Sequence, residues 1–190
     1  EILIRGVDSS NPIILFVHGG PASSEIPYVR KYQEDLEEQF TIVHYDQRGS
    51  GKSYRFFEDY SNLTTDLLVE DLLALTDYIT ERFNQQKVLL VGHSFGTYIG
   101  MKAVAKAPEK YLAYIGIGQV GDVFQSELDS FEFTMEQAKI NGNSKDIEGL
   151  MQIQGLIEKG QERTPRNLVR KYGGAARLIN DNRDYLTGFL

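Results

Sequence analysis

Five residues, Gly92-His93-Ser94-Phe95-Gly96, set a hydroxyl between two glycines in the pattern G-x-S-x-G. Serine is a weak nucleophile until a base takes its proton and fixed N–H groups receive the charge that builds on the attacked carbonyl. The pattern suits acyl transfer only where a strand leads in and a helix leads out, so that a sharp, strained turn pushes the hydroxyl outward. Val88-Leu89-Leu90-Val91 supplies the strand and Thr97 to Lys106 the helix. Side chains at positions 92 and 96 would collide with the neighbouring strand and helix, which calls for glycine at both. The helix N-terminus beside Ser94 also favours developing negative charge. Ser94 is therefore the expected nucleophile. His93 is expected to point away from it, packing or hydrogen-bonding beneath the turn rather than acting as base.

Acyl transfer also needs two N–H donors for the oxyanion. One is expected to be the backbone N–H of Phe95, the residue after the serine. The other is expected from His18-Gly19-Gly20-Pro21, where a glycine pair after an earlier strand lets the backbone approach the substrate. Gly20 is the first choice for that donor and Gly19 the second; the plain alternative is a simple turn. His18 is expected to brace this loop. Asp46-Gln47-Arg48-Gly49-Ser50-Gly51-Lys52-Ser53 has a superficial likeness to a phosphate loop, but Asp46 stands where the first glycine of that loop would be. A structural turn with an Asp46–Arg48 bracket is the expectation.

The surrounding pattern is that of strands alternating with helices on a mostly parallel sheet, an α/β class. Ile13 to Val17 is a continuous apolar run, fit for a strand buried on both faces. Val29, Tyr32, Leu36 and Phe40 recur at helical spacing. Thr41 to Tyr45 reads as a strand, Leu68, Leu72, Leu75 and Ile79 as the buried stripe of a long helix, and Lys87 to Val91 as a third strand. A helix is expected up to Ala107, before Pro108, and a strand over Tyr111 to Gly118. Residues 1–118 are thus expected to form the α/β core. Residues 119–190 contain no further strand-like run and are expected to form a helical cap or lid. Phe124, Leu128, Phe131, Met135 and Ala138 form one helical stripe, stopped at Asn141-Gly142-Asn143. A second helix is expected over Ser144 to Lys159, and a third from Thr164-Pro165 to Gly173-Gly174.

In their order, His18-Gly19-Gly20-Pro21, the Asp46–Ser53 stretch and Gly92-His93-Ser94-Phe95-Gly96 resemble the α/β-hydrolase superfamily, and within it the prolyl aminopeptidase (proline iminopeptidase)-like serine hydrolases. The resemblance covers residues 1–118, and the helical remainder is similar to that group's cap. Two features depart from it: Ala22 stands where the branch usually has glycine, and the elbow reads Gly-His-Ser-Phe-Gly rather than Gly-Gly-Ser-Trp-Gly. That elbow is closer to general esterases. The resemblance implies acidic cap residues that hold a substrate's free amine. Glu132 and Glu136 share a helix face, but a solvated face accounts for them, so the role is not carried over.

A triad in this fold runs Ser, then Asp or Glu, then His. The chain's three histidines, His18, His44 and His93, all precede Ser94. Asp122, Asp129, Asp146, Asp181 and Asp184 lie in or near the helical remainder, so the acid is unassigned as well. The expectation is an N-terminal part of a larger enzyme, inactive alone, with a complete pseudoenzyme as the alternative. Its open sheet would call for self-association or complementation by a C-terminal part. The expected activity is a serine hydrolase using an acyl-enzyme on short peptides with a free N-terminus, or on small esters or amides. The alternative function is a non-catalytic pocket that binds a ligand. No metal or cofactor is implied. The net charge of −7, without a basic run, argues against nucleic acid and membrane partners. The start of the chain lacks the pattern of a signal peptide, no apolar run nears the roughly 20 residues of a membrane span, and cysteine is absent, which suits the cytoplasm.

Overall fold

A computed structural model describes residues 1–174. A first compact unit takes in Glu1–Val120 and a second begins at Gly121. Among the described residues the first is built on five strands, β1 (Ile2–Arg5), β2 (Ile13–Val17), β3 (Thr41–Tyr45), β4 (Val88–His93) and β5 (Tyr111–Ile117), in the sheet order β1-β3-β2-β4-β5. β1 pairs antiparallel with β3, and the other three pairings are parallel.

Parallel strands need a crossover between them, and the chain supplies one each time. α1 (Ile26–Tyr32) and α2 (Glu34–Glu37) join β2 to β3, α3 (Thr65–Arg82) joins β3 to β4, and α4 (Phe95–Lys106) joins β4 to β5. α3 starts where the Thr64 side chain accepts the Leu67 N–H, and it buries Leu68, Leu72, Leu73, Thr76 and Ile79. Leu72 and Ile79 join Ile13, Leu15, Val43, Leu90 and Ile99 in the main core, all fully enclosed. Each such side chain contributes about 1.5–3 kcal/mol of transfer free energy. Ile14, Ile42 and Val91 gather into a separate cluster with Phe16, Phe40 and Leu89. Alternate residues of the central strands thus feed two packed faces, as an all-apolar strand requires.

The sequence reading missed β1, a four-residue edge strand that is mostly half-exposed. The stripe from Val29 to Phe40 does not make one helix. The chain breaks at Gln33 (φ −120°, ψ 5°) into two short helices, and Phe40 falls beyond both. At the far edge, β5 leaves Leu112, Ile115 and Ile117 about half exposed or more, at 60%, 52% and 49%.

The second unit contains α5 (Val123–Ile140), α6 (Ser144–Ile157) and α7 (Arg166–Lys171). Asp122 caps α5 through the Gln125 N–H, and Asn143 caps α6 through the Asp146 N–H. Phe131, Met135, Ala138, Leu150 and Ile157 form its own core. Phe124, expected in that stripe, is instead 46% exposed. Glu132 and Glu136 are exposed. Asp181 and Asp184 lie outside the described residues. Among the described residues, no helix is long and apolar enough to cross a membrane.

Candidate active site

β4 ends at His93, α4 begins at Phe95, and Ser94 alone makes the turn, with φ 51° and ψ −121°. A non-glycine residue held there stores about 1–3 kcal/mol of backbone strain and persists only where neighbours over-determine it. The neighbours are visible. The Ser94 N–H donates to the Ile117 carbonyl of β5 at 2.8 Å. The Ser94 carbonyl accepts from the Thr97 N–H at 2.9 Å and from Thr97 Oγ1 at 2.6 Å. Thr97 Oγ1 in turn accepts the Val120 N–H at 2.8 Å, so one buried hydroxyl ties the turn to the chain leaving β5.

The two elbow glycines are sterically required. A Cβ at Gly96 would lie 2.0 Å from the Val17 carbonyl oxygen, and one at Gly92 would lie 2.8 Å from the Gly96 oxygen. This packing leaves Ser94 partly exposed at the head of α4. The first N–H groups of a helix have no carbonyl of their own helix to bond, so the Phe95 amide is available beside the serine.

The loop after β2 comes to this turn. A Cβ built on Gly19 would stand 2.9 Å from Ser94 Cβ, 3.1 Å from the His93 oxygen and 3.5 Å from Ser94 Oγ. Gly20 (φ 118°) instead faces its own loop, 2.7 Å from the Ala22 and Ser23 nitrogens by the same measure. Of the glycine pair, Gly19 is therefore the one set against Ser94. His18 is buried and braces the loop, as its sequence position suggested. Its Nδ1–H donates to the Gly19 carbonyl at 2.9 Å, and its Nε2 accepts the Gln47 N–H at 3.0 Å. Gln47 returns a side-chain N–H to the His18 carbonyl at 2.7 Å. Further along the loop, Ala22 takes φ 67°, a left-handed conformation that favours glycine.

The expected Asp46–Arg48 bracket is absent. Asp46 accepts the Lys52 N–H at 2.7 Å, closing its own turn, while Arg48 reaches α3 and pairs with both oxygens of Asp71 at 2.9 and 2.7 Å. His93 does point to a partner other than Ser94, but it lies on the surface side with its side chain 48% exposed, where Nδ1 meets Glu25 Oε1 at 2.6 Å.

All three histidines are thus committed elsewhere. His44 is buried, stacks on Phe16 with ring centroids 4.6 Å apart, and bonds Gln33 Oε1 through Nε2 at 2.7 Å. Burial, reinforced by the neighbouring His18, pushes its pKa down to about 4 and keeps it neutral. The described aspartates of the second unit also have structural work. Asp122 caps α5, Asp129 accepts from Gln125, and Asp146 accepts from Lys171 and Tyr172. Among the described residues no group of three or more His, Cys, Asp or Glu side chains is placed to hold a metal.

The family model described as the alpha/beta hydrolase fold matches residues 12–182. The chain belongs to that family. Relatives of this α/β-hydrolase include a probable aminopeptidase of Bacillus subtilis, 37% identical over 71% of this chain and 42% of its own length. A probable proline iminopeptidase of Leptolyngbya boryana is 31% identical over 58% of this chain and 32% of its own. Among solved structures, a proline iminopeptidase-related protein of Thermus thermophilus superposes with a TM-score of 0.59 at 22% identity, covering 88% of this chain and 54% of that one. The α/β-hydrolase chain therefore spans roughly a third to a half of the length of the proteins it matches.

Proposed function

We propose that this chain carries the nucleophile half of a serine hydrolase, with Ser94 attacking a carbonyl and the Phe95 amide and a Gly19–Gly20 amide receiving the charge. The observation that carries the proposal is the strained, partly exposed Ser94 with the Gly19 backbone set directly against it. In acyl transfer the Ser94 oxygen bonds to the substrate carbonyl carbon, a base takes the hydroxyl proton, and the leaving amine or alcohol departs with a proton returned to it. Water then releases the acyl group by the same steps. Since His18, His44 and His93 are all committed elsewhere, the reading requires a base brought to Ser94 by a further polypeptide segment. The chain's partial span of its relatives supports that requirement.

The named relatives favour an aminopeptidase that takes short peptides with a free N-terminus, with small esters and amides as the broader class. The helical second unit would serve as the cap. The absence of cysteine suits a cytoplasmic protein. A pocket that binds ligand without turnover is the second reading, favoured by the commitment of every histidine. The test is labelling with a fluorophosphonate probe, on this chain and on any longer polypeptide containing it. Labelling that disappears in Ser94→Ala supports the hydrolase; equal labelling of the variant overturns it. A probe that never reacts, with peptide or ester binding intact, supports the second reading.

A further inference from the structure

We propose that Glu25 is a positioning residue which, through His93, holds the Gly19–Ser24 loop against the Ser94 turn; the proposal rests on the reading of Ser94 given above. Glu25 occupies the position before α1, where a side chain ordinarily accepts an N–H from its own helix. It makes no such bond. Its carboxylate goes to His93 instead, across 68 residues of sequence, at 2.6 Å. The Glu25 side chain is only 10% exposed. A carboxylate so enclosed needs a donor, which makes the imidazole N–H a fixed partner rather than a passing surface contact.

The placement of the pair gives it a purpose. His93 is the last residue of β4, immediately before the serine, and Glu25 closes the loop that begins at Gly19. The loop is therefore pinned at two ends. His18 braces its start through the Gly19 carbonyl, and the Glu25–His93 bond ties its end to the strand that carries Ser94. Between the pins the chain runs through Ala22 at φ 67° and makes one weak internal bond, Ser23 N–H to the Gly19 carbonyl at 3.3 Å. A segment with so few bonds of its own takes its position from its attachments. Without the second pin the Gly19 and Gly20 amides lose their fixed distance to Ser94, and a preorganised oxyanion site is worth little once it must reorganise.

The experiment uses this chain, and a longer polypeptide containing it for the labelling arm, with Glu25→Ala, Glu25→Gln and His93→Ala, the last guarding against a misfolded Glu25→Ala because His93 is half exposed. Hydrogen exchange is followed at residues 19–25 and, as a control for folding, at Leu89–Val91; fluorophosphonate labelling is separated into kinact and KI. Glu25→Ala and His93→Ala are expected to speed exchange in the loop at least about tenfold with β4 unchanged. They should also lower kinact at least about tenfold at constant KI. Glu25→Gln, which still accepts the imidazole N–H, should restore both to within about threefold. Unchanged loop exchange in both alanine variants overturns the clamp. Faster exchange with unaltered kinact also overturns it, because the loop would then be held for another reason. Faster exchange with labelling in neither this chain nor the longer polypeptide supports the clamp and removes the reading of Ser94 instead.

Discussion

Gly19 meets Ser94 face to face: its α-carbon lies so close that an added methyl would stand 2.9 Å from Ser94 Cβ and 3.1 Å from the His93 carbonyl. Neither neighbour is free to retreat, because Ser94 is held by Ile117 and Thr97 and the His93 carbonyl is backbone. Gly19→Ala should therefore push the loop away from the serine and slow fluorophosphonate labelling more than about tenfold, in the chain or in a longer polypeptide that labels. The cost in stability should stay near 1–3 kcal/mol, the range of a modest overpacking. Labelling kinetics and urea unfolding on the same sample test both halves. An alanine variant that labels at the wild-type rate would remove Gly19 from the site.

Thr97 is a fastener whose loss should be visible in stability. Its fully buried hydroxyl donates to the Ser94 carbonyl and accepts the Val120 N–H. Thr97→Val keeps the shape but strands the half-buried Val120 N–H and leaves the Ser94 carbonyl one donor short, so about 1–2 kcal/mol should be lost. Thr97→Ser keeps both bonds and should lose about 1 kcal/mol, the cost of a methyl. Equal losses in the two variants would show that packing, not hydrogen bonding, fixes the turn.

Ala22 offers the opposite test, a substitution that should help. At φ 67° its Cβ is strained by about 1 kcal/mol or more, which glycine would relieve. Glycine also loosens the unfolded chain, an offset of about 0.5–1 kcal/mol. The net expectation for Ala22→Gly is a gain of up to about 0.5 kcal/mol, whereas Ala22→Val should lose stability. Thermal or urea unfolding settles the sign. A loss in the glycine variant would mean that the Ala22 methyl is packed against something that rewards it.

His44 predicts a pH dependence. Its folded pKa of about 4 lies below the ordinary 6.5, so the unfolded chain binds the proton more readily. Stability from this residue is full above about pH 6.5 and falls as the pH drops toward 4. By about pH 4.5 the loss should reach about 2.5 kcal/mol. Urea unfolding at about pH 7.5 and 4.5 should show wild type losing that much more than His44→Gln, which carries no titrating ring. Parallel losses in the two proteins would refute the assignment.

The central strands and the elbow could be read from residue types because local rules determine them. Ile13–Val17 has no polar residue to place in water, and Gly92 and Gly96 bracket Ser94 at the spacing its turn demands. β1 escaped notice because four residues of an exposed edge carry too little pattern. The broken helix at Gln33 is a tertiary effect: the Gln33 side chain is taken by His44 of β3, which helical spacing cannot foresee. Proximity in the chain favours Asp46 as the partner of Arg48, yet Arg48 reaches Asp71 on a helix 23 residues away. Glu25 gave no signal at all. Nothing near it in the chain marks a carboxylate whose partner lies 68 residues on, and only the folded sheet brings the two together. Thr97 likewise reads as no more than the start of a helix, because its partner Val120 lies 23 residues on.

The bond from the Ser94 N–H to the Ile117 carbonyl joins the elbow serine to the outermost strand of the described sheet. Among the described residues β5 pairs on one flank alone, and its Leu112, Ile115 and Ile117 show water about half or more of their surface. Whatever settles along that flank, or peels it away, transmits its influence through a single amide to the serine's backbone angles. The backbone geometry of the elbow is consequently tied to events at the margin of the sheet rather than governed only from within.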